Sequence, residues 1–332
     1  MAYHRGSALT DVYAAARRNG YGFVASNVTH PDIATGLVRG AVESESDIVV
    51  QIKRDTAEYF GDGDVEAGLQ VLGAQLQALA ADTQVGVFLN VDHVDYEDEA
   101  LIDAAISSGI PASLMVDASR ESFETNVAST RAVVDRIESA GADMLVEAEL
   151  GTIAGEESGE VTEEALYTRP EEAVEFVRKT GCDLLAVSIG TQHGVAAGHD
   201  LDLRVDLTAE IGERLREEGY DVPLVVHGSS GLTPEQVSDL METGVCKLNT
   251  NTRYQYEFAR TACEFYRDNA DAIIPPSGVT DDRTTFFADT DWSPRKAVFD
   301  PRVVGERARG RIAAVYEELA EVSGSAGRSL YA

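Results

Sequence analysis

The sequence predicts a single (β/α)8 TIM barrel, and three observations support this fold. Short apolar runs recur along residues 21–250, and segments with helical periodicity separate them. The runs are continuously apolar rather than alternating, which is typical of parallel strands covered on both faces. Several helical segments end in glycine, as helices with a left-handed C-cap do. A doubly wound open sheet is the alternative fold, but no G-x-G-x-x-G follows the first run to support it.

The predicted strands are β-rich runs that each stop at polar or turn residues. In chain order they cover residues 21–27, 47–53, 85–93, 112–119, 143–150, 183–190, 223–230 and 245–250. Helices are predicted between them from amphipathic segments such as DEALIDAAISSG, TRAVVDRIESAG, PEEAVEFVRKTG and TPEQVSDLMETG. A TIM barrel contains eight strand–helix units, which is the number predicted here.

The remaining segments are assigned to the same domain, which spans residues 1–332. Residues 1–20 are predicted to form an N-terminal helix. The stretch 274–300 is the least barrel-like and is predicted to be an extended arm or subunit contact. Residues 301–332 are predicted to form a C-terminal helix and tail.

The composition is strongly acidic, with 58 Asp and Glu against 27 Lys and Arg and a formal net charge of −31. Lysine occurs only at positions 53, 179, 247 and 296. Such a composition resembles that of proteins from salt-loving organisms, in which concentrated salt screens the self-repulsion. The negative field repels nucleic acid and anionic membranes, so neither is expected as a partner.

The chain shows no sign of export or membrane insertion, and we expect it to be cytoplasmic. No run approaches the roughly 20 apolar residues of a membrane span. The N-terminal segment has no apolar core of the signal-peptide kind. Three cysteines without C-x-x-C spacing give no indication of disulfides.

Three of the six histidines, His93, His193 and His227, lie just past predicted strands. Active sites of these barrels form where the carboxyl ends of the strands meet. Neutral imidazole is the commonest metal ligand, and three protein ligands with one open position describe a catalytic zinc site. The sequence therefore predicts a metalloenzyme. Zn²⁺ is the expected ion, although histidine-rich sites also accept Fe²⁺, Co²⁺ or Mn²⁺.

Other strand ends carry further polar residues. Asp92 directly precedes His93, so their side chains are expected to start on opposite faces of the strand. Glu147 and Glu149 lie inside an apolar run, where an unpaired charge is costly. The glycine-punctuated loop 151–159 is expected to carry a catalytic carboxylate over the barrel mouth.

The segment HGSSGLTPEQ, residues 227–236, combines glycine, two serines and a helix start. It is a candidate phosphate cradle at a helix N-terminus. Thr233 before Pro234 is also an ordinary N-cap, and both interpretations can hold at once.

These residues belong to motifs that closely resemble class II, metal-dependent fructose-1,6-bisphosphate aldolases over nearly the whole chain. The motifs are NVDH, SLMVDAS, FETNV, VEAELGTIAGEE, YTRPEEAVEFV, LAVSIGTQHG, VVHGSSGL, GVCKLNTNT, SPRK and GSAGR. The resemblance implies reversible cleavage of fructose 1,6-bisphosphate to dihydroxyacetone phosphate and glyceraldehyde 3-phosphate through a metal-stabilised ene-diolate. It also implies a role in glycolysis and gluconeogenesis, and a homodimer or higher oligomer. A monovalent cation is a further candidate cofactor.

The resemblance assigns roles residue by residue. It implies that His93, His193 and His227 bind the catalytic Zn²⁺. Asp117 and Glu149 match residues that hold a second or alternative metal position. Asp92 matches the acid/base at the C4 hydroxyl, and Glu157 matches the loop carboxylate that moves protons at the ketone-side carbon. Asn249 is expected to donate a hydrogen bond to the developing charge. The substrate-binding residues implied are Asn27, Lys53, Gly194, Gly228, Ser230, Asn251, Thr252 and Arg295.

Four positions depart from the family pattern. Lys53 stands where the family usually has serine, and Asn251 replaces the usual aspartate. Asn90 occupies a position that is often histidine, and Ser158 follows Glu157 where aspartate is usual. Lys53 and Asn251 keep tagatose 1,6-bisphosphate or another ketose phosphate as an alternative substrate.

Two further alternatives change the class of protein. A Schiff-base aldolase needs a desolvated lysine, and Lys53 and Lys247 both lie at predicted strand ends. That interpretation leaves the three histidines unexplained. A metal-binding protein without activity is the other alternative, and the presence of Asp92 and Glu157 argues against it.

Overall fold

The computed structural model describes residues 3–151, 154–155, 167–193 and 202–332, with only the backbone described for residues 154, 155, 192, 193 and 230. Eight parallel strands close into a barrel in the order β1-β10-β9-β7-β5-β4-β3-β2. They are β1 (Phe23–Asn27), β2 (Ile48–Ile52), β3 (Val87–Asp95), β4 (Ser113–Asp117), β5 (Leu145–Leu150), β7 (Leu184–Val187), β9 (Leu224–Val226) and β10 (Val245–Thr250). Two short strands, β6 (Ala154–Gly155) and β8 (Gln192–His193), pair in a separate parallel sheet. The predicted TIM barrel is confirmed.

Helices lie between the barrel strands and cover the outer face. In chain order they are α1 (Gly6–Asn19), α2 (Pro31–Glu43), α3 (Arg54–Phe60), α4 (Val65–Ala80), α5 (Glu99–Ser108), α6 (Phe123–Ala140), α7 (Pro170–Thr180), α8 (Val205–Glu217), α9 (Pro234–Glu242), α10 (Thr252–Asp268), α11 (Lys296–Phe299) and α12 (Pro301–Val322). None of these described helices is both long enough and apolar enough to span a membrane.

The glycines that follow three helices act as the sequence predicts. Gly109, Gly141 and Gly181 cap α5, α6 and α7 in the left-handed conformation, which glycine adopts without steric cost. The chain then turns directly into the next strand. The predicted strand 223–230 is shorter than expected, because β9 ends at Val226 and Gly228 adopts a φ of 72° before a 3₁₀ turn at Ser229–Gly231.

The side chains of each strand divide between two cores. Ile48, Val50 and Ile52 of β2 face the helices, whereas Val49 belongs to a cluster inside the barrel. Leu9 and other residues of α1 pack into that inner cluster. The apolar filling therefore occupies the amino end of the barrel.

Above this apolar filling the barrel interior becomes polar. Gln51, Asn90, Glu147 and Lys247 are all fully buried. Since Gln51 lies opposite Asn90 in the β2–β3 register, the two share a face. The carboxyl end of the barrel thus has polar side chains in place of the usual branched apolar ones.

The C-terminal tail contacts the amino end of the barrel. Asp47 is buried, and its carboxylate accepts hydrogen bonds from the backbone N–H groups of Gly86 (2.7 Å) and Leu330 (3.0 Å). The ring of Tyr331 stacks on His4 with the centroids 4.1 Å apart. The last residues of the chain therefore complete contacts with the first strands.

The segment predicted as an extended arm consists of turns followed by the short helix α11, with no strand among the described residues 274–295. Phe287 is buried within it and packs against Trp292, with the ring centroids 4.9 Å apart. The following helix α12 packs along α2.

Two glycines allow α2 and α12 to approach closely. A Cβ placed on Gly36 would lie 2.7 Å from the carbonyl oxygen of Arg309, and one on Gly40 would lie 2.6 Å from that of Ala313. Such distances force a shift of the backbone, so these positions accept little besides glycine.

We predict that Gly40→Ala lowers the free energy of unfolding by about 1–2 kcal/mol, because overpacking against α12 outweighs the gain in helix propensity. Urea unfolding in high salt measures the change. The control is Gly310→Ala in α12, where an added Cβ meets no atom within 4 Å. It is expected to raise stability by up to about 1 kcal/mol. Equal stabilities of the two variants would contradict this account.

Candidate metal centre

Imidazole and carboxylate groups converge at the carboxyl ends of β3, β4, β5 and β9. One ligand atom from each of Asp92, His93 and His227 lies within 4.8 Å of the other two. The same holds for the set of His93, Asp117 and Glu149. His93 is common to both sets. Residues that are far apart in sequence therefore form one cluster, which we call the metal cluster.

His93 and Asp92 both point into this cluster, which corrects the expectation that their side chains start on opposite faces. The register between β3 and β4 shifts between Val91 and Val94. His93 lies in this irregularity with a φ of 47°, a left-handed conformation that is uncommon outside glycine. Such a conformation costs on the order of 1–3 kcal/mol and often marks functional sites. The bulge re-aims the imidazole toward the barrel mouth.

Two amides hold the carboxylate of Asp92. Asn27 donates from Nδ2 to one oxygen at 2.9 Å, and Asn249 donates from Nδ2 to the other at 3.2 Å. Burial alone raises the pKa of Asp92, but the positive charges of His93 and Lys53 outweigh it and hold this pKa below its ordinary value. Asp92 is therefore a buried, oriented carboxylate whose lowered pKa favours the ionised form.

Asp117 is paired with His93. Its Oδ2 lies 3.0 Å from Nδ1 of His93, and its Oδ1 accepts hydrogen bonds from the hydroxyl (2.7 Å) and the backbone N–H (3.1 Å) of Ser119. Burial raises the pKa of Asp117, but these bonds to the ionised form lower it well below the ordinary value.

His227 lies between two glutamates. Its Nε2 is 3.0 Å from Oε1 of Glu147, and its Nδ1 is 2.8 Å from Oε2 of Glu149. Burial lowers the pKa of His227, but the two glutamates beside it outweigh burial and raise this pKa to about 9. A divalent cation at Nδ1 would replace the proton there.

Behind His227, Lys247 donates from Nζ to Oε2 of Glu147 at 2.6 Å, and both side chains are fully buried. Burial raises the pKa of Glu147, but Lys247 and His227 together lower it below its usual value. The sequence marks Glu147 as a charge within an apolar strand but does not indicate a role for it. The two partners are separated by a hundred residues, so no local pattern links them.

The donor set of the metal cluster suits a divalent transition metal. Asp92, Asp117 and Glu149 bring three carboxylates close to the imidazoles of His93 and His227. Burying this much negative charge is costly unless a cation compensates it. Mixed imidazole and carboxylate ligands are accepted by zinc, iron, cobalt and manganese.

The third predicted histidine, His193, lies in β8, opposite Gly155 of β6. Only its backbone is described, so its role as a ligand stays a prediction. Glu157 and Gly194 lie outside the described residues, and their roles stay predictions as well.

A cavity of about 460 Å³ opens beside His93 and Asp117. Lys53, Arg54 and Arg120 line it, together with Tyr96 and several acidic residues. These three basic side chains share the lining with five carboxylates, and they offer anion-binding groups in a chain with a net charge of −31. The sequence predicts a role for Lys53 but not for Arg120, since an arginine in a loop after a strand is too common to predict a site.

The loop after β9 connects the cluster to the neighbouring strand. Ser229 donates a hydrogen bond from its hydroxyl to the backbone carbonyl of Asn249 at 2.6 Å. Gly228 precedes it in the left-handed conformation, and the backbone of Ser230 lies in the same 3₁₀ turn. Thr233 caps α9 in a reciprocal arrangement with Gln236, which confirms the predicted N-cap.

The remaining predicted substrate residues lie at the start of α10 and in the segment before α11. Asn251 precedes Thr252, the first residue of α10, and accepts a hydrogen bond from Gln255 at 2.7 Å. Arg295 is exposed, pairs with Asp271 at 3.0 Å, and is not among the residues that line the cavity.

The sequence is similar to those of known proteins over most of its length. The family model described as class II fructose-bisphosphate aldolase matches residues 7–328. The D-tagatose-1,6-bisphosphate aldolase subunit GatY of Klebsiella oxytoca is 36% identical over 262 residues, which cover 78% of this chain and 86% of that protein.

Two solved structures share the fold. The YdjI aldolase of Escherichia coli matches with a TM-score of 0.71 and 25% identity, covering 97% of this chain and 98% of that one. The fructose-bisphosphate aldolase of Campylobacter jejuni matches with a TM-score of 0.82 and 21% identity, covering 98% and 97%. At the latter identity the likeness is one of fold.

We predict that His227→Ala weakens zinc binding at least about 100-fold, because it removes a buried imidazole from the metal cluster. Zinc titration of the dialysed protein measures the loss. His30→Ala is the matched control, since His30 caps α2 with its side chain and lies outside the cluster. Unchanged zinc affinity in His227→Ala would contradict the assignment of this cluster.

Proposed function

The chain belongs to the class II fructose-bisphosphate aldolase family, and from that membership we propose that it reversibly cleaves fructose 1,6-bisphosphate into dihydroxyacetone phosphate and glyceraldehyde 3-phosphate. The observation that carries the proposal is the position of Asp92. An ionised carboxylate, held by two amides, lies directly beside the imidazoles of His93 and His227.

In the proposed cleavage Asp92 accepts the proton of the C4 hydroxyl, and the C3–C4 bond breaks as the C4 oxygen becomes the aldehyde. The electron pair of that bond stays with the dihydroxyacetone phosphate half. A divalent metal held by the cluster supplies Lewis-acid stabilisation of negative charge when bound. Asn249 donates a hydrogen bond to the charged half, and Glu157 delivers a proton to its C3 carbon.

The two phosphates are proposed to bind on opposite sides of the metal cluster. The cavity lined by Lys53 and Arg120 lies beside His93 and Asp117, and its basic side chains suit the phosphate of the aldehyde half. The dihydroxyacetone phosphate half is proposed to bind the loops at Gly194, Gly228 and Ser230 and the segment at Asn249 and Thr252. The role of Arg295 is proposed to be a second contact to the aldehyde-side phosphate. Asn27 and Asn251 complete the proposed substrate contacts.

Tagatose 1,6-bisphosphate is the second candidate substrate. The 36% identical relative is named a D-tagatose-1,6-bisphosphate aldolase subunit. Fructose and tagatose bisphosphates differ only in configuration at C4, the carbon whose hydroxyl Asp92 would deprotonate. The choice between them therefore depends on the side chains next to Asp92, of which Lys53 is the charged one that departs from the family pattern.

Further aspects of the proposal follow from the sequence. We propose that zinc is the native metal, with iron, cobalt or manganese as alternatives, and that the chain is a single domain forming a homodimer or higher oligomer. We also propose that it acts in the cytoplasm, in glycolysis and gluconeogenesis, at high salt. The acidic composition supports the salt requirement, because concentrated ions screen the repulsion.

We predict that the protein cleaves fructose 1,6-bisphosphate in molar KCl, that EDTA abolishes the activity, and that Zn²⁺ restores it. A coupled assay of the triose phosphate products measures each step, with tagatose 1,6-bisphosphate assayed in parallel. Faster cleavage of the tagatose substrate would overturn the first choice of substrate while keeping the aldolase mechanism.

The Schiff-base alternative has a direct test in the same assay. Borohydride in the presence of substrate is expected to leave activity intact, because Lys247 is buried in an ion pair and no imine forms. Irreversible inactivation by borohydride, with substrate covalently attached to a lysine, would contradict the metal-dependent mechanism.

We predict that Asp92→Ala lowers kcat by about 10²–10⁴-fold, the typical contribution of a general base. Zinc affinity should fall far less than in His227→Ala. Asp103→Ala on the exposed face of α5 is the control and should retain full activity. If Asp92→Ala turns over substrate at the rate of the control, the proton-transfer assignment is wrong.

A further inference from the structure

A row of three buried side chains crosses the barrel interior beneath the metal cluster, and we call it the buried triad. Lys247 from β10 donates to Glu147 from β5 at 2.6 Å, and Glu147 lies 3.0 Å from Nε2 of His227, which follows β9. All three are fully inaccessible to solvent.

Stability alone does not account for a lysine and a glutamate at this depth. Desolvating two charges costs several kcal/mol per ion, and replacing a buried ion pair by apolar residues is often neutral or stabilising. The inner positions of such barrels are usually filled by branched apolar side chains. The pair must therefore serve something beyond filling the barrel, and the group it touches is His227.

The donor and acceptor pattern of the buried triad fixes how His227 is oriented. The ammonium group of Lys247 can only donate, so Oε2 of Glu147 accepts from it. A carboxylate held in this way also accepts at Oε1, and Nε2 of His227 must therefore carry the hydrogen. The other nitrogen, Nδ1, faces Glu149 and the metal cluster.

We propose that Glu147 and Lys247 are positioning residues that hold His227 with its hydrogen on Nε2 and its Nδ1 lone pair directed at the bound metal. Glu147 orients the imidazole, and Lys247 orients Glu147. The proposal rests on the proposed function only in taking His227 as a metal ligand. A ligating histidine whose second nitrogen donates to a carboxylate is a stronger and better-oriented ligand.

This assignment also gives Lys247 a role other than nucleophile. Its Nζ is engaged by Glu147 at 2.6 Å, and Lys247 is not among the residues that line the cavity beside His93. A lysine that forms an imine with substrate has to reach the substrate carbonyl. Lys247 instead contacts Glu147, which in turn contacts the proposed metal ligand His227.

The test compares three forms of the full-length protein: wild type, Lys247→Met, and the double variant Glu147→Gln with Lys247→Met. The single variant leaves Glu147 buried without its cation, so its Tm should fall. The double variant removes both charges, so its Tm should recover most of that loss. Zinc affinity should nevertheless stay about 10–100-fold weaker in the double variant, as found for lost carboxylate partners of metal-bound histidines.

A matched control uses the exposed pair on α7, where Lys179 lies 2.6 Å from Glu175. The double variant Glu175→Gln with Lys179→Met changes the same residue types at the same separation. It should bind zinc as tightly as wild type. Equal zinc affinity in the two double variants would overturn the proposal.

Nitrogen-15 NMR of histidine side chains supplies a readout on the wild-type protein itself, with one variant used only to assign the signal. In the zinc-loaded wild type, His227, assigned by its loss in His227→Gln, should show a protonated Nε2 and a metal-bound Nδ1. A proton on Nδ1 and metal on Nε2 would overturn the proposal while leaving the metal centre intact. A wild-type protein that binds no zinc would overturn the proposed function and this inference together.

Discussion

The confinement of several carboxylates at one end of a narrow barrel is the constraint on which the rest of the site depends. Asp92, Glu147 and Glu149 are buried there, and Asp117 is close by. Like charges at such distances repel strongly where water is scarce. Basic and imidazole side chains lie beside these carboxylates, and the arrangement of the site follows from which of them meets which carboxylate. They are Lys53, His93, His227 and Lys247.

This arrangement divides the carboxylates by role. Glu147 forms a buried ion pair with Lys247 and lies 3.0 Å from Nε2 of His227. Asp92 is held by two neutral amides, so its charge remains available to a substrate proton. Asp117 and Glu149 face imidazole nitrogens directly, where a metal would sit. Carboxylates of the same kind thus acquire different chemistry from their neighbours alone.

The sequence predicts the barrel well because its strands are continuous apolar runs whose polar ends coincide in space. The nearness of Asp92 and His93 to His227 at the barrel mouth followed from that coincidence. The joint orientation of Asp92 and His93 did not, because a strand of ideal pleat separates neighbouring side chains and only the bulge with its left-handed residue brings them together. The pairing of Glu147 with Lys247 was equally hidden, since barrel closure rather than local spacing creates it.

The contact between Leu330 and Asp47 makes the second strand unit depend on a distant part of the sequence. Asp47 directly precedes β2, yet one of the N–H groups that donates to its buried carboxylate comes from Leu330, 283 positions further along the chain. A buried carboxylate without its hydrogen bonds is costly. The amino end of the barrel therefore reaches its full stability only when these two distant segments have come together, so loss of the segment around Leu330 would weaken the barrel at its opposite sequence end.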